Sequence, residues 1–238
     1  MIKYKEILQK NTIGLGEDDN NKEVCPGFSH EDSIKWIYDS SIVYANLAKT
    51  LVSSFSNASS FLELGCGPGC LSHFIRHYGK DVTTVTLDIN KDTPKLSKYL
   101  DHNHFLCFTD KPYQLQVEDK NVKFDVIISY EHFEHIPPKN LKIFFDNIKS
   151  HCHKNTIINA TASKAETTGV KVLNEDQQFK NVPKNGFASH QSVFSREEWS
   201  NILDKNGFKL LEDTYINGYN KPPNFSLGAT IELTFKLK

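Results

Sequence analysis

The chain has 238 residues, 38% of them hydrophobic and 24% charged, and a formal net charge of −1. That balance suits a soluble globular domain with a sizeable core, and it supplies no global pull toward nucleic acid or a membrane surface. Only Arg76 and Arg196 are arginine, against a large excess of lysine; arginine carries the planar fork that suits phosphates and base edges, so a nucleic-acid partner is not expected. The five cysteines, Cys25, Cys66, Cys70, Cys107 and Cys152, are scattered, odd in number and without a CxxC pair. This favours a reducing compartment, and with no secretory h-region and no membrane-length apolar run, the expected location is cytoplasmic.

Residues 1–57 read as an N-terminal arm followed by capping helices. Positions 10–30 are polar and contain glycine, as in a loop or mobile arm, and the apolar spacing from Asp32 to Phe55 predicts one or two amphipathic helices. From 58 to 238 the chain alternates β and α segments. Strands are expected at 60–64, 82–87, 105–108, 124–129 and 156–160, with helices at 71–77, 94–100 and about 139–150. Ser195 and Glu198 form a capping-box pattern that opens a helix to Asn206, and Gly207 stands at its C-cap position. Strands at 208–211 and 229–237 follow with no helix between them. The expected fold is α/β: a doubly wound, Rossmann-like, mostly parallel sheet with an antiparallel C-terminal edge strand and helices on both faces.

FLELGCGPG, residues 61–69, lies between the first strand of this series and its helix. Gly65, Gly67 and Gly69 permit a tight turn and close approach of the backbone to a ligand. The spacing is G-x-G-x-G, which departs from the dinucleotide fingerprint. Acidic Glu63 just before the loop would repel a pyrophosphate and suit a cationic or amino-bearing cofactor. The second strand ends in TLDIN, where Asp88 is placed to accept ribose hydroxyls. After the third strand comes Thr109-Asp110, where an acid could meet an adenine amino group.

FLELGCGPG, TLDIN and FDVIIS, in that order, resemble the cofactor motifs of class I S-adenosylmethionine-dependent methyltransferases over roughly residues 58–214. The resemblance implies a seven-stranded methyltransferase sheet and S-adenosyl-L-methionine as cofactor. Glu63, Gly65 and Gly67 would line its methionine end, Asp88 would hold the ribose and Ile89 would pack on the adenine. Gly69, Asp110 and Ser129 complete the expected cofactor set.

YEHFEHIPP, residues 130–138, places two Glu-His pairs directly after an apolar strand, where ligands gather in a doubly wound sheet. If the turn is helical, Glu131, Glu134 and His135 share one face. Two readings stand beside each other. His135 acts as general base, since imidazole titrates near neutrality. Alternatively, Glu131, Glu134 and His135 bind a divalent metal (Mg, Mn, Fe or Zn) that lowers the pKa of an acceptor hydroxyl. An ExxEH turn with a distal His190 resembles metal-using O-methyltransferases of the ubiquinone-pathway and small-RNA 3′-end types, which implies ligation by Glu131, Glu134, His135 and His190. His132 is expected to face away. His151-Cys152-His153 reads as a solvated loop remote from the cofactor.

Residues 162–194 are expected to form a flap over the acceptor, with Asp176, Phe179, Val182, Phe187 and His190 in it. Trp36 and Tyr38 are candidates for the other side of the pocket. The function expected is S-adenosylmethionine-dependent O-methylation of a small hydroxylated molecule (phenol, catechol or sugar unit), with a divalent metal as the candidate activator of the acceptor hydroxyl. The alternatives are 2′-O-methylation of RNA 3′ ends, a metal-free enzyme with His135 as base, and an inactive cofactor-binding partner subunit.

Overall fold

The computed structural model describes residues 8–10, 30–89, 103–163, 191–211 and 230–238. In chain order these form β1 (Leu8–Lys10), α1 (His30–Ser54), β2 (Ser60–Leu64), α2 (Cys70–Tyr78), β3 (Thr83–Asp88), β4 (Asn103–Leu106), β5 (Gln114–Val117), β6 (Lys120–Asn121) and β7 (Phe124–Ser129). There follow α3 (Leu141–Ser150), β8 (Cys152–Ser163), α4 (Arg196–Lys205), β9 (Phe208–Leu210) and β10 (Thr230–Leu237).

Seven strands make the main sheet, in the order β4-β3-β2-β7-β8-β10-β9. Neighbours from β4 to β8 run parallel, and β10 is antiparallel to both β8 and β9. The central strands are near-continuous apolar or β-branched runs because both of their faces are covered. Phe61 lies beside Val126 and Leu62 beside Ile127. Phe61, Val126 and Ile128 pack with Leu47 and Leu51 of α1 and Leu71 and Ile75 of α2. Leu62, Leu64 and Ile127 join a larger cluster with Phe133, Phe144 and Phe145, Trp199 and Phe235. Edge-to-face contacts run through that cluster, with Phe133 meeting Phe144 at 4.9 Å and 90°.

The parallel strands bring the ends of β2, β3, β4, β7 and β8 to one edge of the sheet, where the site lies. The capping box at Ser195 and Glu198 is formed, and Gly207 closes α4 at φ 80. The N-terminal region gives one helix from His30 to Ser54. The strand expected at 156–160 extends over Cys152–Ser163. Its Asn159 and Thr161 are polar yet fully paired on one face, while Ala160 and Ala162 enter the core; this mixture hides the strand from a hydrophobicity pattern.

A second sheet, β1-β5-β6, was not legible in advance. Its β5–β6 hairpin turns at Glu118 and Asp119, both at positive φ (48 and 61), as a two-residue primed turn requires. The sequence lacks the Asn-Gly pair that usually signals such a turn.

The 151–153 stretch corrects the expectation of a solvated loop. His151 is fully buried, stacks on Tyr113 at 5.5 Å, bonds the Val122 carbonyl through Nδ1 at 2.8 Å and accepts from Leu115 N–H at 3.4 Å. Burial pushes its pKa down to about 4. His153 pairs with Asp125 at 3.0 Å, and Asp125 also accepts from the Ser59 and Ser60 amides and hydroxyls. The segment is a structural joint at the opposite end of the strands from the site. The 94–100 helix, His190 and the other named flap residues, Asp176, Phe179, Val182 and Phe187, lie outside the described residues. Among the described residues no helix is long and apolar enough to cross a membrane.

Candidate active site

The loop after β2 is shaped by three glycines at positive φ: Gly65 at 68, Gly67 at 52 and Gly69 at 84. Two of them serve different ends. A Cβ on Gly67 would meet nothing within 4 Å among the described residues, so this backbone faces open space. A Cβ on Gly65 would lie 2.8 Å from His132 Cβ and overlap its ring. Gly65 is thus required by a protein side chain, and Gly67 leaves a cradle in which a ligand can approach the main chain.

Two carboxylates fix this loop. Asp88, at the tip of β3, accepts from the Gly67 amide at 2.7 Å. Glu63 accepts from the Ser72 amide at 3.2 Å and the Ser72 hydroxyl at 2.5 Å, and so satisfies an orphan donor in the first turn of α2. Burial, opposed by the Ser72 bonds, raises the Glu63 pKa to about 7, with the Asp88 charge adding to the rise. Ile89 follows β3 and is half-buried. Ser129 is fully buried and donates to the Leu64 carbonyl at 3.1 Å, which ties β7 to β2. Asp110 accepts from the Asn140 side chain at 2.8 Å. Its neighbour Thr109 is the residue that points to the glycine loop's flank, with Oγ1 at 2.8 Å from His132 Nε2.

On the other side stands the turn after β7. Glu131 sits at φ 55, a left-handed conformation uncommon outside glycine. Thr161 of β8 holds it twice: the Glu131 amide donates to Thr161 Oγ1 at 2.9 Å, and that hydroxyl donates to Glu131 Oε1 at 3.2 Å. Tyr130 hydroxyl bonds Asn159, whose amide nitrogen donates to Glu232 at 2.8 Å and to Thr234 at 2.9 Å. A polar chain therefore reaches from β10 to the turn.

The backbone at Glu131 corrects the expectation of a shared helical face. Helical geometry begins only with a 3₁₀ turn at Phe133–His135, so Glu131 lies off the turn that carries His135, and Glu134 is fully buried. Among the described residues no group of three or more His, Cys, Asp or Glu side chains is arranged to hold a metal ion. The expected ligand set of Glu131, Glu134, His135 and His190 includes one residue, His190, that lies outside the described residues. The chain just beyond position 190 does reach this turn: the Gln191 and Ser192 amides donate to the Glu134 carbonyl at 2.6 and 3.0 Å, and Ser192 Oγ donates to the Ile136 carbonyl at 2.6 Å.

His132 is the residue that sequence reasoning missed. It packs under Gly65, bonds Thr109 and meets Phe144 edge-on at 6.0 Å. Desolvation of the ring, with His135 nearby, pushes its pKa down to about 3. The signal available in sequence was a glycine two residues after Glu63 facing a bulky ring two strands' ends away, which no local pattern reveals.

The parallel sheet, the three-glycine bend, the strand-tip carboxylate on that bend and the buried acid behind it match the class I S-adenosylmethionine-dependent methyltransferase arrangement that the sequence resembles. The chain belongs to the methyltransferase-domain family, whose model matches residues 40–213. Solved structures agree in fold. A S-adenosylmethionine-dependent methyltransferase from Clostridium acetobutylicum superposes with a TM-score of 0.58 at 14% identity, covering 88% of this chain and 99% of that one. The plantazolicin methyltransferase BpumL, in complex with S-adenosylhomocysteine, gives 0.58 at 11% identity, covering 94% and 93%. The mitomycin 7-O-methyltransferase MmcR gives 0.55 at 12% identity, covering 88% of this chain and 59% of that one. No protein of curated function matches the sequence.

Proposed function

We propose that the enzyme methylates an oxygen of a small hydroxylated molecule (a phenol, catechol or sugar unit), with His135 as general base and Glu131 orienting the acceptor. The observation that carries this reading is the packing of His132 on Gly65, which sets the Glu/His turn directly against the donor loop. S-adenosylmethionine, when bound, would supply an electrophilic methyl for the acceptor oxygen, the electron pair of its carbon–sulfur bond leaving on sulfur. The chain's own part is to hold and deprotonate. Asp88 and the open Gly67 backbone are suited to grip the donor, with Glu63 fixed behind the loop. His135, tied by its amide to the His132 carbonyl at 3.0 Å, takes the hydroxyl proton. Thr161 holds Glu131 where its carboxylate can accept a hydrogen bond from the acceptor.

Oxygen chemistry is supported by the suitability of an imidazole base for phenols and activated hydroxyls, and by the likeness to a fold that serves a 7-O-methyltransferase. The scarcity of arginine favours a small molecule over RNA. The test is product analysis: protein and labelled S-adenosylmethionine are incubated with separate panels of phenols, catechols, sugars and short RNAs. Methyl ether products from the small-molecule panels are expected; methylation confined to nitrogen, sulfur or RNA overturns the reading. Chelator treatment is expected to leave turnover unchanged. Loss with EDTA and recovery with Mn²⁺ would return Glu131 and Glu134 to metal ligation.

A further inference from the structure

His132 joins three loops that the sheet brings to one edge. Its ring fills the space that a Cβ on Gly65 would need, in the loop after β2. Its Nε2 lies 2.8 Å from Thr109 Oγ1, in the loop after β4. That second loop is itself anchored: Asn147 of α3 donates to the Thr109 carbonyl at 2.9 Å and to the Lys111 carbonyl at 2.8 Å. Phe144 of α3 backs the ring from below. Finally, the His132 carbonyl accepts from the His135 amide at 3.0 Å. One residue thus touches the donor loop with its side chain and the base-bearing turn with its main chain.

We infer that His132 is a positioning residue that fixes the height of the Gly65–Gly69 loop for the donor, with Thr109 as its anchor. A ring wedged under Gly65 and bonded at its far nitrogen cannot tip without lifting the loop or breaking the Thr109 bond. Gly67, whose amide Asp88 holds, is two residues further along the same loop, so any shift at Gly65 changes where the cradle presents its main chain. An imidazole suits this task because it is flat enough to lie against a glycine and carries a nitrogen at the distance that reaches Thr109. Burial also keeps the ring neutral, so the wedge carries no charge that would draw it toward water.

The test uses S-adenosylhomocysteine binding by calorimetry on the full chain, so it needs no acceptor, and its outcome stands apart from the oxygen-acceptor reading. His132→Ala is expected to weaken binding about 10-fold, the scale of one lost hydrogen bond with its packing. His132→Gln, which can still present a nitrogen or oxygen to Thr109, should recover most of that loss. Thr109→Val, which removes only the hydroxyl, should fall between the two. Nitrogen NMR of the His132 ring should show both its signals shift on adding S-adenosylhomocysteine in the wild type. A folded His132→Ala protein with wild-type affinity overturns the inference, and so does a Gln variant that melts normally yet binds as weakly as Ala. If His132→Ala does not fold, Thr109→Val decides: unchanged affinity in that variant overturns it equally.

Discussion

The glycine-loop side of the site and the turn after β7 are built on different principles. Around the glycine loop, side chains hold backbone at its key points, Asp88 on the Gly67 amide, Glu63 on the Ser72 amide and Asn147 on the Thr109 carbonyl, beside side-chain pairs such as Thr109 with His132. Around the turn after β7, side chains mostly hold side chains: Tyr130 on Asn159, Asn159 on Glu232 and Thr234, Thr161 on Glu131. Main-chain geometry is the same whatever residue carries it, so the first arrangement suits a constant ligand. Side-chain pairs change with each substitution, so the second suits a ligand that differs from one family member to the next.

Exchanging residues across that divide should separate the two halves. The largest effect is expected for His135→Ala, which should lower turnover by about 10²–10⁴-fold, the usual contribution of a general base. S-adenosylhomocysteine affinity, measured alongside, should be unchanged. Asp88→Ala should do the reverse, weakening the cofactor by about 1–3 kcal/mol through loss of a charged acceptor, as calorimetry would record. Unaltered affinity would remove Asp88 from the donor side.

Two glycine substitutions sharpen the contrast within the donor loop itself. Both positions have positive φ, so alanine strains each backbone. Only Gly65→Ala also collides with His132, and it should cost about 1–3 kcal/mol more than Gly67→Ala in denaturant unfolding. Equal costs would mean that the ring yields.

Acid should loosen the donor side together with the joint at His151. His132 and His151 have pKa values of about 3 and about 4 in the fold against 6.5 when free. A lowered folded value means that the unfolded chain binds the proton first. Their stabilisation is therefore present above pH 6.5 and lost as pH falls below it, by about 1.4 kcal/mol per unit for each ring. Glu63 works against this: its value is raised from 4.5 to about 7, so its contribution is present below 4.5 and lost as pH rises through 7. Between pH 6.5 and 4.5 two histidines oppose one carboxyl, and a net loss of about 1.4 kcal/mol per unit is expected on acidification. His151→Gln should flatten that slope in a melting series.

Thr161→Val should be the mildest change. It removes both bonds to Glu131, and turnover should fall several-fold at about 1 kcal/mol, with donor affinity intact; Thr161→Ser should restore it.

How much could be read in advance follows the same division. ELGCGPG and Asp88 were legible because local spacing dictates a turn and a strand tip. The β7 run and the α4 capping box were legible for similar reasons. Thr161 and Asn159 were not, because their partners lie on other strands and polar residues inside β8 break its pattern. The Glu131, Glu134 and His135 face failed on one backbone angle: a helical turn was assumed where Glu131 turns left-handed. His132 was misjudged because its role depends on a glycine more than sixty residues earlier, next to it only once β2 and β7 lie side by side.

The bond from Asn159 to Glu232 and Thr234 also sets an order of assembly on the ribosome. Every residue named above that touches Gly65, Gly67, Asp88 or His132 has been translated by Asn147, whereas the clamp on Asn159 comes from a strand that begins at Thr230. The residues that grip the glycine loop thus lie between positions 63 and 147, whereas the turn after β7 gains its last hydrogen-bond partners only from positions 232 and 234.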